Sequence, residues 1–259
     1  MDADGGPVTV LIDNPEPTDE PSISGVIRFV EETGSTNADL LALAHAGVEE
    51  GLWIRAGRQT AGKGRQGRRW ASDPGNLYAS TLVRLRPTDP PAASLALVAG
   101  LAVWGAVQVW LDDPAPLQLK WPNDILLCGA KLAGILLERA GDAVVIGIGV
   151  NLAHHPELPD RLTTDLAAHS AAPTPEVFAE TLADLMSAEI SRWRAEGVVG
   201  TRTRWMKHAH PSGTALTARL PDGEAIDGLF DGLDPDGALT LRLASGERRV
   251  IHAADLFLL

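Results

Sequence analysis

A single cysteine, Cys128, stands in a chain of 259 residues. One thiol excludes an intramolecular disulfide framework and suits a reducing compartment, so a cytoplasmic location is expected. No stretch reaches the roughly 18 uninterrupted apolar residues of a membrane-spanning helix. The N-terminus has neither the cationic start nor the apolar core of a signal peptide. His154, His155, His208 and His210 have no carboxylates or cysteines at metal-ligand spacing, so no zinc site is indicated. No Ser-His-Asp or Cys-His arrangement stands out, which leaves no signal for a covalent nucleophile. Lys and Arg are absent from residues 1–24, where Asp2, Asp4, Asp13, Glu16, Asp19 and Glu20 lie among Pro and Gly. That composition predicts a disordered acidic tail. Taking those six from the 34 acids leaves 28 against 22 bases, a net of −6, so the body lacks the basic excess of a duplex-DNA binder.

Against this acidic background the cations are concentrated. Gly57 to Trp70 reads GRQTAGKGRQGRRW, with four glycines and with Arg58, Lys63, Arg65, Arg68 and Arg69. Glycines let backbone N–H groups turn toward a ligand, and cations beside them favour an anion such as a phosphate. Two common patterns fall on the loop and fail. Gly57 to Lys63 begins a P-loop, but Gly64 stands where the magnesium-binding hydroxyl belongs. Gly62, Gly64 and Gly67 space as G-x-G-x-x-G, but Arg68, Arg69 and Trp70 follow instead of an apolar helix.

Three further blocks accompany the loop: Gly34-Ser35-Thr36-Asn37 upstream, Lys120 to Asp124 as KWPND running into KLAGIL from Lys131, and GIGVN ending at Asn151. Together, in this order and spacing, they resemble the biotin protein ligase family over roughly Val26 to Leu259. The resemblance implies an α+β fold: a mixed or antiparallel sheet with helices, like class II aminoacyl-tRNA synthetases, followed by a small SH3-like β-barrel. The expected divisions are residues 1–24 as tail, 25–210 as catalytic domain and 211–259 as C-terminal domain. A 24-residue tail is too short for the DNA-binding domain of some relatives, so the resemblance is to the monofunctional type.

Local patterns agree with that architecture. Strands are expected at Val26–Glu31, Leu52–Ala56, Asn76–Leu85, Leu117–Lys120, Asp124–Cys128, Lys131–Glu138 and Ala143–Val150. Helices are expected at Asn37–Ala46, Pro91–Leu111 and Thr174–Glu196, with Gly200–His208 extending the last. From Pro211 five short strands follow, punctuated by Pro-Asp-Gly at 221–223 and 235–237.

The resemblance implies two steps: biotin attacks ATP to give biotinyl-5′-AMP, and a lysine of a biotin carboxyl carrier protein then takes the biotin. Biotin and ATP are substrates, and Mg2+ is expected with the nucleotide. Catalysis then rests on positioning and charge. Lys131, Arg65 and Asp124 are the expected catalytic residues. Ser35, Thr36, Asn37, Gln59, Gly62 and Gly134 are expected to join Arg65 and Lys131 around biotin. Lys63, Gly64, Arg65, Arg68, Trp70, Asn123, Lys131 and Asn151 are expected around ATP and the adenylate. Lys63 stands where many bacterial relatives have Arg, which keeps the charge but loses the bidentate fork. Asp124 either binds magnesium or orients the incoming amine; Trp121 either stacks on adenine or packs in the core. Neither DNA nor a membrane is an expected partner, and both monomer and homodimer remain open. The alternatives are a lipoate or octanoate ligase, whose substrate wants an apolar end where Ser35, Thr36, Asn37 and Gln59 stand, and a non-catalytic nucleotide-binding module.

Overall fold

The structure, a computed structural model, describes residues 25–113 and 116–258. The tail expected at 1–24 lies outside the described residues.

Seven strands form one sheet: β1 (Ile27–Thr33), β2 (Trp53–Gln59), β3 (Leu77–Arg84), β4 (Leu117–Lys120), β5 (Asp124–Leu127), β6 (Ala130–Ala140) and β7 (Ala143–Val150). Across the sheet they run β1-β2-β3-β7-β6-β5-β4. β1 and β2 are parallel and joined by the crossover helix α1 (Thr36–His45); the other neighbours pair antiparallel. A parallel pair needs such a crossover, whereas the short loops from β4 to β7 permit antiparallel return. The sheet is therefore mixed.

Period-two alternation divides its work. On β3 and β7, Leu77, Ala79, Val83, Val144, Ile146, Ile148 and Val150 point to one face. There they meet α2 (Leu95–Gln108) and α3 (Pro175–Met206) in the main core. The residues between them point the other way. Leu82, Ala143 and Val145 pack beneath Leu40 and Ala44 of α1, and Ser80, Gly147 and Gly149 leave the rest of that face open.

Boundaries differ from expectation in small, explicable ways. α2 begins at Leu95 because Pro91 leads into a short 3-10 turn at Ala92–Ser94. β6 reaches Ala140 because it pairs with β7 from Ala133 to Ala140. α3 extends to Met206 but is broken at Gly197, whose φ of 70° departs from helical geometry. Thr174 caps its start by accepting from the Val177 amide.

The C-terminal sheet contains β8 (Ala215–Arg219), β9 (Ala225–Leu233), β10 (Leu239–Arg242), β11 (Arg248–Ile251) and β12 (Asp255–Leu258), antiparallel in the order β11-β10-β9-β8-β12. Both Pro-Asp-Gly turns close on glycines with positive φ, Gly223 at 93° and Gly237 at 88°. The inner side chains Leu216, Ala218, Phe230 and Leu239 continue the main core. Trp121 is 5% exposed and its Nε1 donates to the Gly237 carbonyl at 3.1 Å. Of the two roles considered for Trp121, packing is the one observed.

α3 is tied to the sheet by Arg194. Its guanidinium donates to both Glu50 oxygens at 2.6 and 2.8 Å, to Asp89 at 3.3 Å and to the Arg84 carbonyl at 3.1 Å. Burial disfavours the Glu50 charge, but the hydrogen bonds from Arg194 and the Arg84 amide outweigh it and hold the carboxyl below its ordinary range. Breaking such a group leaves partly buried carboxylates uncompensated, so R194M is expected to lose roughly 3 kcal/mol in urea unfolding at pH 7. A depressed folded pKa stabilises above the unfolded value, 4.5 for Glu50, and that contribution fades as pH falls through the folded value. The difference between wild type and R194M should therefore narrow below pH 4.5.

Candidate active site

On the α1 side of the sheet, a cavity of about 570 Å³ opens between α1, the Gly57–Trp70 loop, β6, β7 and the segment after β7. Its volume suits a small-molecule substrate.

One end is a hydrogen-bonded cluster. Ser35 precedes α1 in the N-cap position, yet its hydroxyl makes no capping bond; the residue is buried and lines the cavity. The capping acceptor comes from β2, where Gln59 Oε1 receives the Thr36 amide at 2.9 Å. The Thr36 hydroxyl lies 3.1 Å from the same oxygen and 2.7 Å from Ser80 Oγ. Ser80 donates to Asn37 Oδ1 at 2.6 Å, and Asn37 Nδ2 donates to Glu138 Oε2 at 2.7 Å. Gln59 Nε2 donates to Ser72 Oγ at 3.2 Å.

The glycines of β6 and β7 explain how these side chains fit. A Cβ on Gly147 would stand well under 3.0 Å from the Asn37 amide, and one on Gly149 equally close to the Trp70 indole. Gly134 is bare for the same reason: a Cβ there would meet Trp70 at 2.9 Å and the Lys131 side chain at 3.3 Å. Side chains thus lie on naked backbone, first Asn37 at Gly147, then Trp70 two residues on, then Lys131 beside Trp70 with its ammonium 5.4 Å from the ring.

Beyond Trp70 the cavity is charged. Lys131 Nζ donates to Asp124 Oδ1 at 2.5 Å, with both side chains largely buried. Arg65 Nη1 reaches Asn123 Oδ1 and the Ala254 carbonyl, each at 3.3 Å. Burial lowers its pKa, against the pull of Asp255 and Asp124. Arg68 pairs with Asp255 at 2.9 Å. Burial disfavours the Asp255 charge, but the Arg68 hydrogen bond and the charges of Arg68, Arg65 and Arg161 hold its carboxyl below the usual range. Lys63, Arg69, Asp160 and Arg161 complete this end.

Most residues expected at a site line this one cavity: Ser35, Thr36, Asn37, Lys63, Gly64, Arg65, Arg68, Trp70, Asn123, Asp124, Lys131, Gly134 and Asn151. Gln59 stands one layer behind, holding Thr36. Gly62 also lies behind, where a Cβ would meet Ser72 Oγ and the Trp70 carbonyl at 2.8 Å. Asn151 reaches the wall, but its amide donates to the Thr164 carbonyl at 3.0 Å and braces the segment after β7. Sequence reasoning missed Ser80, Glu138, Arg161 and Asp255, which belong to no recognised block. The alternation on β3 and β6 was the one signal available for Ser80 and Glu138.

Among the described residues, no three His, Cys, Asp or Glu side chains gather as a metal cage. The carboxylates of Asp124 and Asp255 are matched to Lys131, Arg65 and Arg68. That donor set does not fit a divalent cation held by the protein alone.

Residues 26–151 match the Biotin/lipoate A/B protein ligase family, and residues 212–259 match the Biotin protein ligase C terminal domain. The chain is 40% identical over 250 residues to a biotin–[acetyl-CoA-carboxylase] ligase of Paracoccus denitrificans, covering 88% of this chain and 99% of the relative. It superposes on a biotin protein ligase from Aquifex aeolicus in complex with biotin and ATP at a TM-score of 0.77, with 25% identity over 90% of this chain and 98% of the other. A Leishmania major biotin protein ligase in complex with biotinyl-5-AMP gives a TM-score of 0.61 and 29% identity, covering 88% and 98% of the two chains.

The bare backbone beneath Trp70 can be tested through stability. G149A forces the indole from its seat and is expected to destabilise by about 1–3 kcal/mol. G64A meets only the Arg68 carbonyl at 3.6 Å and should stay within about 0.5 kcal/mol of wild type. Urea unfolding of both variants makes the comparison.

Proposed function

The chain belongs to the biotin protein ligase family, and on that premise we propose how its residues activate biotin and pass it on. It is a biotin–[acetyl-CoA-carboxylase] ligase working through biotinyl-5′-AMP, as its relatives' names and bound ligands indicate. The observation that supports the reading best is one cavity with a neutral hydrogen-bonding end at Ser35, Thr36 and Asn37 and a cationic end at Lys63, Arg65, Arg68 and Lys131.

In the first step a biotin carboxylate oxygen bonds to the α-phosphorus of ATP and the bond to pyrophosphate breaks. In the second, a lysine amine of the carrier attacks the acyl carbon of the anhydride, AMP leaves with the bonding pair, and the amine loses a proton. Both steps pass charge through oxygens near the centre of the substrate. Lys131 belongs there. Its ammonium spends one N–H on Asp124 and keeps two for a carboxylate and an α-phosphate oxygen. Asp124 orients that ammonium and is placed to accept the proton of the incoming amine. Arg65, Arg68 and Lys63 take the phosphates, with Arg161 added to the expected set. Ser35, Thr36 and Asn37 take the ureido ring, Gln59 and Gly62 supporting them from behind. Trp70, Asn123 and Asn151 shape the nucleotide side.

Magnesium would accompany the triphosphate and neutralise part of its charge. The carrier's biotin-accepting domain is the protein partner. The reaction draws on cytoplasmic ATP in this reading. No helix among the described residues is long and apolar enough to cross a membrane. Residues 25–210 are assigned the chemistry and 211–259 the C-terminal domain.

A lipoate or octanoate ligase shares the first step and is the second reading. Its substrate would bring an apolar tail to the hydrogen-bonded end, leaving buried polar groups without partners. Exchange of labelled pyrophosphate into ATP, run with magnesium and with biotin, lipoate, octanoate or no acid, separates the two. Exchange with biotin alone is expected, and exchange with lipoate or octanoate instead would overturn the biotin assignment.

K131M should slow the exchange by about 10²–10³, as removal of one preorganised donor does. R65G should still form adenylate but release it, detected as nonspecific lysine labelling of a bystander protein; unchanged labelling would argue against retention by Arg65.

A further inference from the structure

The chain carries 18 arginines and only four lysines, Lys63, Lys120, Lys131 and Lys207. Two of the four, Lys63 and Lys131, line the cavity. Of the five cations between Gly57 and Trp70, Lys63 is the one that is not a guanidinium. The difference is chemical. A guanidinium keeps its proton and has no free electron pair, whereas an amine that gives up its proton is a nucleophile. The reaction assigned to this cavity makes a mixed anhydride whose acyl carbon is attacked by lysine amines.

The other lysine of the cavity is committed: Lys131 Nζ is tied to Asp124 Oδ1 at 2.5 Å. Arg65, Arg68 and Arg161 are likewise paired with carboxylates. Lys63 is exposed where it lines the cavity, and among the described residues no ion pair holds it. No such contact has to break before its amine reacts. Its backbone is fixed all the same. Lys63 pairs antiparallel with Arg69, the Gly64 N–H donates to the Arg68 carbonyl at 2.7 Å, and the Trp70 N–H donates to the Gly62 carbonyl at 2.9 Å. The Trp70 ring in turn lies 5.4 Å from the Lys131 ammonium. A fixed backbone beside Trp70, and a free tip on a side chain that spans about 6 Å, bring the Lys63 amine to the group that Lys131 serves. Lys120 and Lys207 do not line the cavity.

We propose that Lys63 is a self-modification site: when no carrier consumes the anhydride, its unprotonated amine attacks the acyl carbon of biotinyl-5′-AMP held in the same cavity. A nitrogen–carbon bond forms and the bond from the acyl carbon to the phosphate oxygen breaks. AMP leaves with that electron pair, and the nitrogen gives its proton to solvent. The product is a biotinyl amide on Lys63, which no longer carries a charge. Biotin and ATP are the co-reactants, so the step rests on the reading of the cavity as the place where the adenylate forms. Sharing one cavity makes the attack intramolecular, and Lys63 is labelled once per chain.

The test incubates the full chain with biotin, ATP and magnesium in the absence of carrier, and locates the label at each lysine by peptide mapping in a mass spectrometer. Lys63 should carry at least about ten times the label of Lys207, a modest share of what preassociation in one site can supply. The labelling rate per chain should not change on dilution, since no second molecule takes part. K63R should lose at least about nine-tenths of the total label, because a guanidinium does not attack. Label is counted per pyrophosphate exchanged, so that slower activation is not mistaken for an unreactive side chain. Equal labelling of Lys63 and Lys207, a rate that falls on dilution, or an unlabelled Lys63 in protein that exchanges pyrophosphate with biotin would overturn the proposal. Absence of biotin-dependent exchange would instead overturn the proposed function.

Discussion

The site depends on backbone that carries no side chains. Gly147 and Gly149 lie on the same face of β7, separated by Ile148, which points into the main core. One strand thus supplies packing on one side and a bare floor on the other. Asn37 and Trp70 settle on that floor at distances no Cβ would allow. From this approach follow the reach of α1 toward Ser80 and Glu138, the course of the basic loop over the sheet, and the place of Lys131 between indole and carboxylate. Filling Gly147 displaces Asn37, and filling Gly149 displaces Trp70.

Charge is arranged around the same floor. The cations around the cavity would repel one another if left alone, and several are answered by carboxylates: Lys131 by Asp124, Arg68 and Arg65 by Asp255, and Arg161 by its neighbour Asp160. These pairs are partly buried, where interaction at close range is stronger than in water. The acidic composition of the chain and its basic loop are therefore compatible. The cations are held in geometry before any phosphate meets them, which is what electrostatic preorganisation requires.

Much of this was legible in the amino-acid order. Alternating apolar residues gave away β3 and β7, and Pro-Asp-Gly gave away the turns of the second sheet, because these signals act over a few residues. The basic loop and the KWPND block stood out because chemistry needs their residues close together in sequence. Glu138, Ser80, Arg161 and Asp255 were not legible. Glu138, Ser80 and Asp255 are ordinary residues in their own segments and gain their roles only from neighbours far along the chain, Glu138 from Asn37 and Asp255 from Arg68, while Arg161 is brought to the cavity by the fold of the segment after β7. Gln59 and Gly62 do not line the cavity; Gln59 holds Thr36 from behind, and sequence adjacency does not distinguish a lining residue from one that supports it. Trp121 was ambiguous until the Gly237 carbonyl appeared opposite its ring nitrogen.

Asp255 is the first residue of β12, and its partners belong to the loop over the cavity. An anion that binds the remaining N–H groups of Arg68 and Arg65 meets guanidinium groups that Asp255 already orients. Ligand affinity and the seating of the C-terminal sheet are consequently two readings of one coupling free energy. By reciprocity, whatever strengthens that seating through Asp255 strengthens the hold on the anion by the same factor, and a bound anion tightens the seam in equal measure.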